Sequence, residues 1–205
     1  MALGLNGHLK RLLDTSIYRY LIKDHEMMSV GLLLGIAASL RGTMDMYTVK
    51  IVSLHIEAML PPTGIEMYIH VVVEPAALIS LGFLYQGTAQ RHIAQVLLQE
   101  IGRPPGPEMD NSVDRESYSL AAGLALGLVV FGRGEKLSGL GDMAIADTLH
   151  HYMVGGPKRP YLGSQREKYR TPSFLIWEGD LVNTHVTGPG AALALGMLYF
   201  NTGNK

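Results

Sequence analysis

The stretch ALISLGFLYQGT, Ala77 to Thr88, decides how the rest of the chain is read. It holds no charged residue, and its glycines Gly82 and Gly87 stand where the two glycines of a phosphate-binding loop would stand. That loop needs a strand before it and a lysine after its second glycine, because the lysine reaches the phosphates. Here Thr88 takes the lysine position, and helical Ala/Leu sequence precedes Gly82. The nucleotide reading is set aside, and self-similarity is the better test of what these glycines do.

The pattern recurs. LLLGIAASLRGT (Leu32–Thr43), AGLALGLVVFGR (Ala122–Arg133) and AALALGMLYFNT (Ala191–Thr202) align with it. Each ends on a turn pair: Gly42-Thr43, Gly87-Thr88, Gly132-Arg133 and Asn201-Thr202. Five residues earlier stands a small residue: Ala37, Gly82, Gly127 or Gly196. The turns are 45, 45 and 69 residues apart, and a weaker copy at Gly7 lies 35 residues before Gly42. This is a repeat with insertions of variable length.

Each unit reads as helix, tight turn, helix. The first helix is apolar nearly all round, which marks a buried helix. Glycine and asparagine accept the left-handed conformation that ends such a helix. The small residues let neighbouring helices approach closely. The second helix is amphipathic: Ile93, Val96, Leu97 and Ile101 share a face, with Arg91, Gln95, Gln99 and Glu100 largely outside it. MYTVKIVSLHIEAML and DMAIADTLHHYM are its counterparts after the first and third turns. One hairpin cannot bury its own apolar face, but stacked hairpins can. The predicted fold is therefore all-α, a helical-hairpin repeat solenoid over residues 1–205, with turns near 7, 42, 87, 132 and 201. Insertions are expected between units at 61–75, 102–117 and 155–190. In the last, SFLIWEGDLVNTHV suggests a small β-hairpin around Glu178-Gly179-Asp180. YIHVVV, Tyr68 to Val73, reads as a short strand or an extended connector.

Composition narrows the function. The 205 residues are 47% hydrophobic and 17% charged, with a net charge of -1 and no cysteine. The charge balance argues against a general nucleic-acid binder. Without cysteine there is no disulfide, thiolate zinc site or cysteine nucleophile. The longest apolar run, Leu120–Gly132, is shorter than a membrane span. Both ends lie inside patterned sequence, so the chain reads as a piece of a longer protein.

Chemical motifs are sparse. Glu66/His70 and Asp147/His151 have i, i+4 spacing, and His150 adjoins the second pair. A metal site needs three or four convergent ligands, and neither pair supplies them. There is no Gly-x-Ser-x-Gly nucleophile elbow. The carboxylates Glu108, Asp110, Asp114 and Glu116 read as solvating a loop. No catalytic residue, cofactor, metal or small-molecule substrate is expected. Lys158, Arg159, Arg166, Lys168 and Arg170 form a basic run, read either as a solvated loop or as a docking surface for an acidic partner.

AALISLGFLYQGT, AAGLALGLVVFGRG and AALALGMLYFNTG resemble proteasome/cyclosome repeats. The pieces MALGLNGHL, GLLLGIAASLRGTMDM, EIGRPPGPEMD and EGDLVNTHVTGPGAALAL are similar to the largest subunits of anaphase-promoting complexes, the subunit 1 family. The resemblance implies a closed or strongly curved toroid with apolar helices inside. It also implies a non-catalytic scaffold in a cell-cycle E3 ubiquitin ligase of the nucleus and cytoplasm, with other subunits of that complex as partners. Two alternatives stay open: a repeat scaffold of the 26S proteasome regulatory particle that docks ubiquitin receptors, and a small metal-dependent enzyme using Asp147/His151.

Overall fold

The computed structural model describes residues 2–9, 15–21, 25–61, 69–160 and 173–203. Nine α-helices appear among them: α1 (Ala2–Leu5), α2 (Thr15–Leu21), α3 (Glu26–Ser39), α4 (Met46–Ser53), α5 (Val73–Leu84), α6 (Arg91–Ile101), α7 (Ser112–Val129), α8 (Ile145–Val154) and α9 (Thr184–Leu198). The helices α3, α5, α7 and α9 lie side by side in one layer, each against the next. The second helices of the hairpins form the other layer. Ala77, Leu78, Leu81 and Leu84 of α5 and Ala122, Ala125, Leu126 and Val129 of α7 are wholly buried. A helix flanked on both sides needs no polar face, and this accounts for the missing charge in ALISLGFLYQGT.

The turns do more than reverse the chain. Gly42, Gly87 and Gly132 have φ of 67°, 69° and 65°, and Asn201 has 54°. Two residues on, Met44, Ala89, Gly134 and Gly203 are also left-handed. This double left-handed turn aims two amides at the next repeat. Gly42 N–H donates to Phe83 O at 2.9 Å and Met44 N–H to Leu84 O at 3.0 Å. Gly87 and Ala89 donate likewise to Leu128 O and Val129 O, at 2.9 and 3.0 Å. Gly132 and Gly134 donate to Met197 O and Leu198 O, at 3.0 and 2.8 Å. The acceptors belong to the last turn of a helix, where carbonyls lack intrahelical partners. Each turn therefore caps the following inner helix. The turn threonines brace this geometry: the hydroxyls of Thr43, Thr88 and Thr202 donate to Leu40 O, Tyr85 O and Tyr199 O at 2.8, 2.7 and 2.8 Å. Arg133, at the third turn, reaches back instead and donates from Nη2 to Gly87 O.

Of the four small residues, Gly82 and Gly127 lie at close helix contacts and Gly196 does not. A Cβ on Gly82 would stand 2.6 Å from Ala125 Cα. One on Gly127 would meet Met197 Sδ at 2.8 Å and Ala194 Cα at 3.2 Å. Ala37 is fully buried in α3, whereas Gly196 has open space around it.

Four details differ from the sequence reading. The expected β-hairpin is not formed: among the described residues the only bridge is an isolated antiparallel pair, Pro157 with Leu181. Ser173 Oγ accepts the N–H groups of Leu175 and Ile176, both at 3.1 Å, and so turns the backbone away from a ladder. The stretch 69–73 is not a strand, since Val71-Val72 turn into α5 at Val73. The inner helices start earlier than expected, inside the segments read as insertions. Asn111 caps α7 by accepting from Asp114 N–H, and Asp114 accepts in return, a reciprocal box visible in the sequence. Finally, Glu100 is wholly buried rather than on the open face of α6, because Tyr118 of α7 donates its hydroxyl to it.

Candidate docking rim

The hairpin topology sorts the surface. The turns at Gly42, Gly87 and Gly132 fall at one rim, and the described parts of the three insertions fall at the other. The insertions then bind one another. Arg103, just after α6, is fully buried. Its guanidinium donates to Glu74 at 3.1 Å, Glu57 at 2.8 Å and Glu108 at 2.8 Å, and it stacks 4.7 Å from the centre of the Tyr118 ring. Glu74 belongs to the first insertion and Glu108 to the second. The loop after Arg103 also holds the third: Ser173 N–H donates to Pro105 O at 3.0 Å, and its hydroxyl to Met109 O at 3.1 Å.

Burial raises the Glu74 carboxyl to about 7, although Arg103 and the Glu57 amide pull it down; Glu100 and Glu108 add to the rise. The sign of the pH effect follows. Between its ordinary value of 4.5 and about 7, the folded chain keeps a proton that the unfolded chain has lost. This contribution to stability is complete below pH 4.5 and fades as pH rises through about 7. His55, lowered chiefly by burial, works in the opposite direction. Urea unfolding midpoints measured across this window are expected to show a downward component that Glu74→Gln removes. An unchanged pH profile in Glu74→Gln would contradict the assignment.

The basic run divides. Lys158 and Arg159 follow α8, while Arg166, Lys168 and Arg170 lie outside the described residues. Gly155 and Gly156, at φ of 94° and 119°, turn the chain out of α8. Lys158 N–H then donates to Asp180 O at 2.8 Å, and Val182 N–H to Gly156 O at 2.9 Å. This clasp brings Lys158 Nζ to 2.9 Å from Glu178, which Arg115 Nε approaches at 3.6 Å. Arg159 donates to the Thr148 hydroxyl at 3.1 Å. On the outside of the clasp Phe174 and Trp177 are about nine-tenths exposed, at 90% and 91%.

The other sequence candidates do not assemble. Glu66 lies outside the described residues, and His70 instead meets Glu26 of α3 at 2.6 Å. Asp147 and His151 share α8, with His151 Nε2 3.1 Å from Pro157 O. No three His, Asp or Glu side chains converge on a metal-sized site among the described residues. None of the helices described is long and apolar enough to cross a membrane. Sequence reading missed Arg103, Arg115 and Glu74 altogether. Arg103 meets Glu74 and Glu57 across 29 and 46 residues of chain, and no local spacing encodes such a pairing.

Residues 46–205 match the family described as the APC1 fifth domain, and residues 1–41 match the APC1 fourth domain. The two matches meet at the turn after α3. The chain is 55% identical to anaphase-promoting complex subunit 1 of Homo sapiens over 100% of its own length and 10% of that protein. It is 38% identical to the Arabidopsis thaliana protein of the same name, over 98% of this chain and 12% of that protein. It is also 38% identical to the negative regulator of mitosis of Emericella nidulans, over 76% of this chain and 8% of that protein. The chain thus spans 10% of the length of the first two curated relatives it matches. These likenesses favour the cyclosome side of the repeat resemblance over the proteasome side. The chain belongs to the anaphase-promoting complex subunit 1 family.

Proposed function

We infer that this chain is a non-catalytic scaffold segment of an anaphase-promoting complex, a cell-cycle E3 ubiquitin ligase, in the nucleus and cytoplasm. The likeness to subunit 1 over the whole chain carries this reading. The architecture supports it. One rim is spent on hydrogen bonds between repeats, and the other gathers the described parts of the insertions, with the cations Lys158 and Arg159 and the exposed rings of Phe174 and Trp177. Exposed aromatic side chains beside cations are what protein interfaces favour. Arg166, Lys168 and Arg170 extend the same basic docking surface by sequence. The packing of α3, in the first family match, against α5, in the second, supports reading residues 1–205 as part of one repeat domain.

The test is affinity purification of the full-length protein from mitotic cells. Ubiquitin-ligase subunits are expected to co-purify. Their absence, or co-migration with proteasome particles, would overturn the reading.

A further inference from the structure

A cavity of about 520 Å³ lies between α6, α7, α8 and the clasp. This is the size range of ligand pockets rather than of packing defects. Its charge is unbalanced. The described lining carries four cations, Arg91, Arg115, Lys158 and Arg159, and two carboxylates, Asp142 and Glu178, so the difference is +2. Both carboxylates are engaged. Asp142 receives two hydrogen bonds from Arg91, and Glu178 is shared between Lys158 and Arg115. Arg159 is set against the neutral hydroxyl of Thr148. The site is built rather than incidental, for Arg115 is 1% exposed yet lines the cavity.

The remaining lining is of two kinds. Leu98, Met143 and Val182 supply apolar surface, while Gln95, Gln99 and Asn183 supply amides. Side-chain amides both donate and accept, which matches the alternating N–H and C=O groups of an extended peptide. The positive excess suits an anionic side chain, and Arg159, set against a neutral hydroxyl, is placed to take a carboxylate.

We propose that this cavity receives an extended acidic segment of a protein partner, with an aspartate or glutamate side chain at Arg159 and Lys158 and a neighbouring apolar side chain against Leu98 and Met143. The proposal rests on the scaffold reading only in taking the ligand to be a protein segment.

The probe is a fluorescein-labelled peptide of alternating aspartate and leucine, read by anisotropy with the full-length protein. Saturable binding is expected, weakening as salt rises. Arg159→Glu reverses a surface charge at the mouth, and Gln95→Trp fills the cavity from the exposed side of α6. Each is expected to weaken binding by about tenfold or more, whereas Arg159→Lys retains most of it. Three outcomes overturn the proposal: no saturable binding, equal affinity in Arg159→Glu and Gln95→Trp, or tighter binding of a phosphoserine-leucine peptide. Co-purification of ligase subunits is scored separately on the same variants. Loss of peptide binding with assembly intact supports the proposal and leaves the scaffold reading standing. Failure of assembly in the unmodified protein strikes the scaffold reading alone.

Discussion

Arg103→Ala is expected to lower the unfolding free energy by about 3–5 kcal/mol, the usual cost of removing one partner from a buried ionic group. Arg103 is fully buried, and three carboxylates converge on it. The substitution leaves Glu74, with a side chain 5% exposed, beside Glu108 at 20% and without its countercharge. Protonating Glu74 relieves part of this, so the loss is expected to be larger at alkaline than at mildly acidic pH. Tyr118 also loses the cation over its ring. Arg103→Met restores the bulk of the side chain without the charge, and it is expected to recover only a small part of the loss. Urea unfolding of all three proteins at two pH values checks this. A loss below about 1 kcal/mol, within the range of an exposed ion pair, would show that Arg103 does not hold the rim together.

The second large effect is expected at Gly123. A Cβ there would lie 2.2 Å from Gly190 O and 2.4 Å from Gly190 C. These are backbone atoms of α9, and no rotamer change moves them aside. From the other side, a Cβ on Gly190 would lie 2.6 Å from Ser119 O. The two helices are thus pressed together glycine to glycine. Gly123→Val is expected to cost at least the roughly 1–3 kcal/mol of ordinary overpacking. Gly127→Val is expected to cost less, because its nearest neighbour is the flexible Met197 side chain. Melting temperatures of the two variants decide the order. If Gly127→Val were the worse, the tightest contact between α7 and α9 would not be at Gly123.

Gly123 shows what the repeat offset leaves out, although its small-xxx-small spacing from Gly127 marks both as helix-contact residues. The five-residue offset from the turn selected Gly127, since the offset repeats along the chain. Between α7 and α9 the closest approach comes one helical turn earlier, at Gly123, where the other copies carry Leu33, Leu78 and Ala192. What was legible was whatever repeats: buried inner helices, amphipathic outer ones and the turn glycines. The second left-handed residue of each turn was not legible, because Met44 and Ala89 occupy it without any side-chain signature. The Arg103 cluster was hidden by distance along the chain. SFLIW has strand-forming residues, but the local bonds that Ser173 accepts override that preference, and no neighbouring strand stands beside it among the described residues. Of the basic run, the structure describes Lys158 and Arg159, and it shows them committed to a clasp and a cavity wall rather than to solvent alone.

The paired amides of the turns bind the hairpins as a spine binds pages. Register between neighbours is set at that edge by the same two bonds each time, whereas the fore-edge is held by contacts that occur once, such as Arg103 with its three carboxylates. Spacings of 45 and 69 residues are both accommodated, with the same two bonds formed after each. Segments outside those contacts can be lengthened or shortened along the fore-edge while the leaves stay in order. A slip at the spine, by contrast, would displace every leaf beyond it.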